Sequence, residues 1–489
     1  MKKQKTYSVK FNFLCNIITQ LVLYLSPLVI SPYVSRVLLP EGIGEYSYAY
    51  SIVSYFVRVI AFGFINYGNQ QISSARDDKQ KYSNIFWSIF ITRSILFTLT
   101  ASIFFVLTFL NAFGELAGRN VFLSRSTFVF ASFLDISFLF QGLENFKIIS
   151  ITNSFCKLLS IGFVFLFVKE PSDLPIYCLI NGGYRFFTAA LQWFFAFKHL
   201  VKPQKAALHI IKTFKESFVF FVPTVAISIY TIIDKTMIGS IAGSAETGYY
   251  EQASKIYQVV ASLISAIYPI MISRITYLYK HGQKEEIQKK FVQLGNVHGW
   301  IAFPCIFGLY SISKYFLPLF FGDSFTPCIR VIYFLLPLIY ISTISGALLS
   351  AYFIPMNKVN QASIVYFCGA IINFTLNLVF IRYWKAEGAA RTSLIAETII
   401  SLLMILLTRT EIPYFKILRD DLKPLISSLI RFSLLRILNE FAYPESRPSL
   451  TICILDILIG SVTYGVVSIL IKDKTTRLAI SFLKSRFHH

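Results

Sequence analysis

Ile95-Leu96-Phe97-Thr98-Leu99-Thr100-Ala101-Ser102-Ile103-Phe104-Phe105-Val106-Leu107-Thr108-Phe109-Leu110 carries no charge and no two-residue alternation of apolar with polar side chains. A strand of a membrane barrel alternates over about ten residues, so this run reads as a helix. Extended back to residue 84, it is long enough to cross about 30 Å of hydrocarbon. Similar runs recur along the chain, near 11–37, 45–67, 84–110, 121–141, 146–168, 174–197, 214–238 and 249–273. Six more lie near 295–320, 329–353, 361–383, 387–408, 422–441 and 451–471. The predicted class is all-α and integral to the membrane, with about fourteen transmembrane helices.

Composition agrees. Hydrophobic residues make up 55% of the 489, the mean hydropathy is +0.61, and charged residues fall to 15%. A soluble chain of this length carries about 25% charged residues. The first run follows Lys2, Lys3 and Lys5, the charge pattern of a secretory signal. It is too long for one and lacks a small-residue cleavage site, so it reads as a retained first helix.

The net charge of +21 raises the question of nucleic acid, and its distribution answers it. Segments 1–10, 68–83, 142–147, 198–216, 274–291, 354–361, 409–424 and 472–489 hold roughly 28 Lys and Arg, against about 5 in the intervening loops. That asymmetry sets topology, predicts both termini on the cytoplasmic side, and leaves no role for nucleic acid. The stretches 198–215 and 274–290 also suit anionic lipid headgroups, so membrane lipids are expected partners.

Seven cysteines (Cys15, Cys156, Cys178, Cys305, Cys328, Cys368 and Cys453) are odd in number and form no CxxC pair. Free thiols are expected, with no metal site and no cofactor. The histidines are scattered, including His488 and His489.

The polar gaps leave no room for a soluble domain, and the loops opposite the basic side are short. No Walker motif appears. An enzyme that joins glycans would need outward machinery, and its best carboxylate here is Asp323 in a short loop. The expectation is therefore a transporter, with no catalytic residue. A weak internal repeat points the same way. Gly44-Glu45-Tyr46-Ser47-Tyr48-Ala49-Tyr50-Ser51-Ile52 aligns with Gly248-Tyr249-Tyr250-Glu251-Gln252-Ala253-Ser254-Lys255-Ile256, matching Gly, Tyr, Ala and Ile in register. Parallel repeats of this kind are a transporter plan, with substrate bound between the halves.

Three stretches resemble a known family. Ser31-Pro32-Tyr33-Val34-Ser35-Arg36-Val37-Leu38-Leu39-Pro40-Glu41-Gly42-Ile43-Gly44, running into Tyr46-Ser47-Tyr48-Ala49, resembles the first hairpin of Wzx-type polysaccharide repeat-unit flippases. Ile233-Asp234-Lys235-Thr236-Met237-Ile238-Gly239 with Gly248-Tyr249-Tyr250 is similar to that family's seventh-span signature. Asn373-Phe374-Thr375-Leu376-Asn377, followed by Glu387-Gly388-Ala389-Ala390 and Glu397, resembles its eleventh and twelfth spans. The third is shared with the wider superfamily of multidrug and oligosaccharidyl-lipid exporters. One departure is Arg382-Tyr383-Trp384-Lys385, where the family usually has Pro before the Gly-Ala-Ala turn.

The resemblance implies two pseudo-symmetric six-helix bundles in a V shape, 1–197 and 214–408, joined by a cytoplasmic linker at 198–213. Helices 13 and 14 and a basic tail follow at 409–489. It implies a multi-pass protein of the bacterial cytoplasmic membrane, flipping undecaprenyl-diphosphate-linked oligosaccharide by alternating access. Polysaccharide polymerase and assembly proteins are implied partners.

Ionisable groups inside spans are costly and thus mark candidate sites. The cations are Arg36, Arg58, Arg93, Lys157, Arg185, Lys235 and Lys255, and a cavity that gathers them suits a diphosphate. Asp135, Asp234 and Glu397 are candidate coupling or structural acids, and Asp456 reads as structural. Tyr46, Tyr48, Tyr50, Gln252, Asn373 and Asn377 could contact glycan. Each has a plainer alternative. Arg36 could snorkel, Arg58 and Arg93 could pair with Asp135, and Lys255 could pair with Glu251 along its helix. Asn373 and Asn377, four apart, could bond between helices. Prolines 27, 32, 223, 269, 304 and 337 could bend spans around a cavity or simply be tolerated. Phe and Tyr are expected chiefly to face lipid or line the interfaces.

Two other functions compete. A cation-coupled multidrug or toxic-compound exporter of the same superfamily would carry acidic groups for cationic cargo, whereas the charge here is mainly basic. A scaffold that only organises glycan-assembly enzymes would not need the cations.

Overall fold

The computed structural model describes residues 9–114, 116–442 and 449–487, and every regular element among them is helical. Lys2, Lys3, Lys5, His488 and His489 lie outside the described residues, as do the side chains of Cys15, Pro223 and Pro269. The chain divides into two compact units, Met1–Gly248 and Tyr249–His489.

The first unit holds α1 (Val9–Ala61), α2 (Phe64–Ser74), α3 (Lys79–Phe109), α4 (Arg119–Leu134), α5 (Ser137–Gly142), α6 (Phe146–Phe167), α7 (Leu174–Ala196) and α8 (Ile210–Ala242). α9 (Ser244–Ser265) begins at its end. The second unit continues with α10 (Tyr268–Lys280), α11 (Lys284–Phe321), α12 (Cys328–Leu335) and α13 (Leu338–Leu348). It closes with α14 (Val359–Thr408), α15 (Tyr414–Ala442), α16 (Leu450–Leu470) and α17 (Lys474–Phe487). Among the described residues, 8 stretches are long and apolar enough to cross a membrane.

α3 shows why lipid is the solvent. Ile95, Leu99, Ile103, Val106 and Leu110 recur at helical spacing and are each 47% to 71% exposed. Thr92, Arg93, Thr100 and Thr108 are buried on the other side. Large apolar side chains outside and polar ones inside suit hydrocarbon surroundings. The hydroxyls stay satisfied by bonding back one turn, Thr92 to the Ser88 carbonyl at 2.7 Å and Thr108 to that of Phe104 at 2.8 Å. The chain is a multi-pass membrane protein.

Several expected spans are interrupted. The first two fuse into α1, which turns at Leu39 (φ 59°, ψ 176°). The eleventh and twelfth likewise fuse into α14, turning at Lys385 (φ 50°). There the departure from the Pro pattern resolves into a one-residue pivot, and Gly388 closes it: a Cβ on Gly388 would sit 2.1 Å from the Phe380 carbonyl oxygen. The span expected at 121–141 breaks between α4 and α5, at Asp135 and Ile136. Many phenylalanines are exposed, among them Phe109, Phe155, Phe167 and Phe194, but a set of aromatic residues packs inside. Phe64, Phe86, Phe104, Phe138 and Phe140 are fully buried, because offset and edge-on ring contacts fill the first unit's interior.

Arg93 holds the break in place. It is 1% exposed, donates from Nη1 to the Asp135 carbonyl, and lies 5.3 Å and 5.4 Å from the rings of Phe64 and Phe138. The Asp135 carboxylate in turn accepts from the Ser137 N–H at 2.9 Å, starting α5. Nε and Nη2 of Arg93 are buried without a partner among the described residues. Arg93→Ala is therefore expected to lower the melting temperature by about 6 °C, for a loss of ~3 kcal/mol. Arg93→Met, which fills the space without orphan donors, should cost less. Thermal melts in detergent check both.

In the second unit, glycines 295, 299 and 308 of α11 face Ile417, Asp421 and Arg431 of α15, with Cβ positions 2.4 to 2.8 Å from those side chains. Small residues let the two helices approach closely. Asp456 accepts from Asn439 Nδ2 at 2.8 Å, a bond between α15 and α16. Between α14 and α15, Glu411 accepts from Tyr352 at 2.5 Å and from Lys358 at 3.1 Å. Burial alone would raise the Glu411 pKa, but those two donors hold it below its ordinary value. A carboxyl depressed in the folded state adds stability above its unfolded pKa and loses it as pH falls through the folded value. Glu411→Gln should thus remove a small fall in melting temperature below about pH 4.5. The effect should be about 1–2 °C, because half-exposed pairs contribute at most ~1 kcal/mol.

Candidate functional site

Tyr46 and Tyr50 lie one turn apart on the second half of α1, both half-buried. α4 runs beside them and brings in Arg125, only 2% exposed. Its guanidinium centre is 3.9 Å from the Tyr46 ring and 5.2 Å from that of Tyr50, and Nη2 donates to the Tyr46 carbonyl at 3.4 Å. The row extends in both directions. Tyr46 meets Tyr177 of α7 at 4.7 Å, and Tyr50 stacks on Phe128 of α4 at 5.8 Å. Arg185 of α7 lies 4.8 Å from the Phe128 ring and 5.5 Å from that of Tyr184, and Lys157 Nζ of α6 lies 4.5 Å from the same Tyr184 ring. Cations and rings thus alternate across α1, α4, α6 and α7.

Gly182 makes the row possible. A Cβ there would sit 1.9 Å from Thr127 Oγ1, so only glycine lets α7 lie this close to α4 and carry Arg185 against Phe128. Lys235 of α8 adds a further positive charge, since it acts with Arg185 and Arg125 on the Tyr50 phenol.

Stacking on a ring stabilises a desolvated cation by about 2 kcal/mol without neutralising it. Arg125 and Arg185 make no ion pair with a carboxylate among the described residues. Arg185 is solvent-accessible. Positive charge in low-dielectric surroundings attracts an anion more strongly than it would in water. A separate cavity of about 360 Å³ is lined by Leu38, Glu41, Glu45, Asn120 and Pro171. Its acidic pair has the wrong sign for an anion, so the cation row is the candidate site.

Of the residues expected from sequence, Tyr46, Tyr50, Lys157, Arg185 and Lys235 come together here. Arg125 was overlooked, because it lies near the end of its expected span, where an arginine ordinarily snorkels. The remaining candidates lie elsewhere. Arg36 is exposed and donates to the Pro32 carbonyl at 2.8 Å. Arg58 is half-buried. Arg93 and Asp135 form the staple at the α4–α5 break. Asp234 is buried and acts on Tyr55.

Lys255 pairs with Glu251 at 3.5 Å along α9, and Gln252 is fully buried. Asn373 and Asn377 are fully buried, bonded to each other at 3.1 Å, and Asn377 accepts from Thr392. Glu397 is 5% exposed and accepts from Ser345 at 2.5 Å.

Residues 9–276 match the family described as polysaccharide biosynthesis protein. The chain belongs to that family. Among its relatives, a protein of Escherichia coli (strain K12) provisionally named O-antigen transporter is 23% identical over 402 residues, 79% of this chain and 94% of that one. Another of the same provisional name, from Shigella dysenteriae, is 24% identical over 395 residues, 78% and 95% of the two chains. Among solved structures, lipid II flippase MurJ in an inward closed conformation superposes with a TM-score of 0.71, covering 93% of this chain and 98% of that one at 16% identity. An inward-facing multidrug resistance MATE family transporter gives 0.60, over 87% and 99% at 13% identity. This polysaccharide biosynthesis family member thus has the fold of MurJ and the MATE transporters.

Proposed function

We propose that this chain flips undecaprenyl-diphosphate-linked oligosaccharide repeat units from the inner to the outer leaflet of the cytoplasmic membrane. The cargo would feed a surface polysaccharide such as O-antigen, capsule or teichoic acid. The observation that carries this reading is the cation–aromatic row of Arg125, Arg185, Lys157 and their rings in the first unit. Family membership and the names of the relatives support it. In this reading the chain crosses the membrane about fourteen times with both termini cytoplasmic, as the charge asymmetry of its loops suggests.

Each part of the row has a task. Arg125 and Arg185 offer planar forks to diphosphate oxygens, and Lys157 and Lys235 add point charge. Tyr46 and Tyr50 present faces and hydroxyls to the first sugars. The polyprenyl tail stays in lipid, which already solvates it. Moving two negative charges outward against 100 mV, negative inside, releases roughly 4.6 kcal/mol, at about 2.3 per charge. That bias favours export without ATP. Should a cation couple to transport, the buried Asp234 and Glu397 are the candidate acids, since Asp135 is engaged in starting α5.

Native mass spectrometry tests the reading. Purified protein is expected to retain undecaprenyl-diphosphate oligosaccharide, and Arg185→Ala to weaken retention at least about tenfold, or 1.4 kcal/mol. No retention, with saturable binding of an organic cation instead, would favour the multidrug exporter.

A further inference from the structure

The pair of Arg185 and Phe128 has a counterpart inside the second unit. The guanidinium centre of Arg391 lies 4.6 Å from the Phe334 ring, against 4.8 Å for Arg185 and Phe128. Phe334 sits on α12 and Arg391 on the second half of α14, three residues after Gly388. Phe128 sits on α4 and Arg185 on α7, three residues after Gly182. Arginine, ring and glycine are each 206 positions from their equivalents, close to the 204 between Gly44 and Gly248. The internal repeat thus reaches beyond matching letters to a packed pair of side chains.

The two copies differ in charge. Glu387 pairs with Arg391 one turn along α14. The equivalent position in the first unit is Asn181, whose amide donates to the Tyr177 carbonyl at 3.0 Å, so nothing there neutralises Arg185. Arg391 also has a second ring, Trp384, at 4.7 Å. Trp384 belongs to the Arg382-Tyr383-Trp384-Lys385 stretch that departs from the family pattern. The pivot at Lys385 brings its indole back against a guanidinium seven residues later in the chain.

This cluster is open. Tyr383 and Trp384 are exposed, and the side chains of Arg391 and Glu387 remain 29% and 21% exposed. An ion pair within a span is costly against lipid, so its open side faces water or the bundle interior. Arg391 only donates and Glu387 only accepts, whereas sugar hydroxyls do both, so the two together match neighbouring hydroxyls. An aromatic face covers the apolar C–H face of a pyranose ring. With its charge neutralised, the cluster lacks the pull on an anion that Arg185 retains.

We propose that Arg391, Glu387, Trp384 and Tyr383 form a subsite of the second unit that binds a neutral sugar ring. The inference rests on the transport reading above for the source of the sugar, which is the glycan of the cargo. The alternative is a belt of interfacial aromatic residues beside a structural ion pair.

Two arms separate these, both on the full chain in lipid nanodiscs. The first is saturation-transfer NMR with free glucose, galactose, N-acetylglucosamine and glucuronate. Transfer to the ring C–H protons of at least one neutral sugar is expected, and Trp384→Ala should reduce it at least about tenfold. Should Trp384→Ala fail to fold, Trp384→Leu keeps the apolar bulk without the aromatic face and is read in the same way. No transfer to any neutral sugar, or equal transfer in wild type and a folded variant, would overturn the subsite. Glu387→Gln leaves Arg391 charged and is expected to move the strongest signal to glucuronate, which loss of a structural pair does not do. An unchanged ranking of the sugars would overturn the neutralising role of Glu387.

The second arm is native mass spectrometry with undecaprenyl-diphosphate oligosaccharide and with undecaprenyl diphosphate alone. Trp384→Ala is expected to weaken retention of the glycan-bearing lipid about tenfold and to leave the bare lipid unchanged. Equal weakening of both, or of neither, would overturn the subsite as a place for cargo. Wild-type protein that retains neither lipid would count against the transport reading, and the first arm then decides on its own whether the cluster binds sugar.

Discussion

Arg125→Gln is expected to reduce flipping about a hundredfold while the protein still folds. The loss corresponds to ~2.7 kcal/mol. It sums a desolvated cation–π contact, worth about 2 kcal/mol, and a charge-assisted bond to cargo, roughly twice the strength of a neutral one. Glutamine removes the charge and is shorter, but keeps a polar amide at the position of the arginine Nε. Arg125→Lys keeps the charge but loses the planar stack on Tyr46, and should recover only part of the activity. The check is flipping in proteoliposomes, with melting temperatures measured on the same samples. A purely structural Arg125 would instead lower the melting temperature and leave the flipping rate per folded molecule unchanged.

The second large effect comes from a neighbouring pair of glycines. Gly182→Leu is expected to lower the melting temperature by about 5 °C or more and to abolish cargo retention. Overpacking costs ~1–3 kcal/mol, at about 2–4 °C per kcal/mol for a unit of this size. Its Cβ would fall 1.9 Å from Thr127 Oγ1 and 3.1 Å from the Phe128 nitrogen, pushing α7 off α4 and Arg185 off Phe128. Gly183→Leu is the control, since a Cβ at Gly183 meets nothing within 4 Å. If both variants melt and bind alike, the α4–α7 contact does not place the site.

The helices were largely legible in the sequence, and the reason is solvent. Lipid demands long unbroken apolar runs, so spans read as 146–168 and 174–197 end within one residue of α6 and α7. Interruptions are harder to read. Hydropathy averages across Asp135, and nothing local says that Arg93, 42 residues away in sequence, will hold the broken end. The site was half legible for a similar reason. Lys157 and Arg185 stand out because charge deep in a span is costly. Arg125 does not, because its burial depends on how α4 tucks against Tyr46. Asn373 and Asn377 look like contact residues in sequence, yet Thr392 completes a buried polar group that a linear reading cannot distinguish from a site. Gly44 and Gly248 stand out in the sequence only as matching letters, and the structure supplies the reason: a Cβ on them would lie 1.7 Å from the Ser244 carbonyl oxygen and 2.1 Å from that of Pro40.

The central claim is that the cation row carries a polyprenyl-diphosphate glycan across the membrane. The most direct measurement is the flipping rate of a fluorescent undecaprenyl-diphosphate oligosaccharide in proteoliposomes, read by quenching from the outside. The predicted result is acceleration over protein-free vesicles by wild type, lost in Arg125→Gln and in Arg185→Ala. Wild-type vesicles that flip no faster than empty ones, while accumulating an organic cation, would contradict the account.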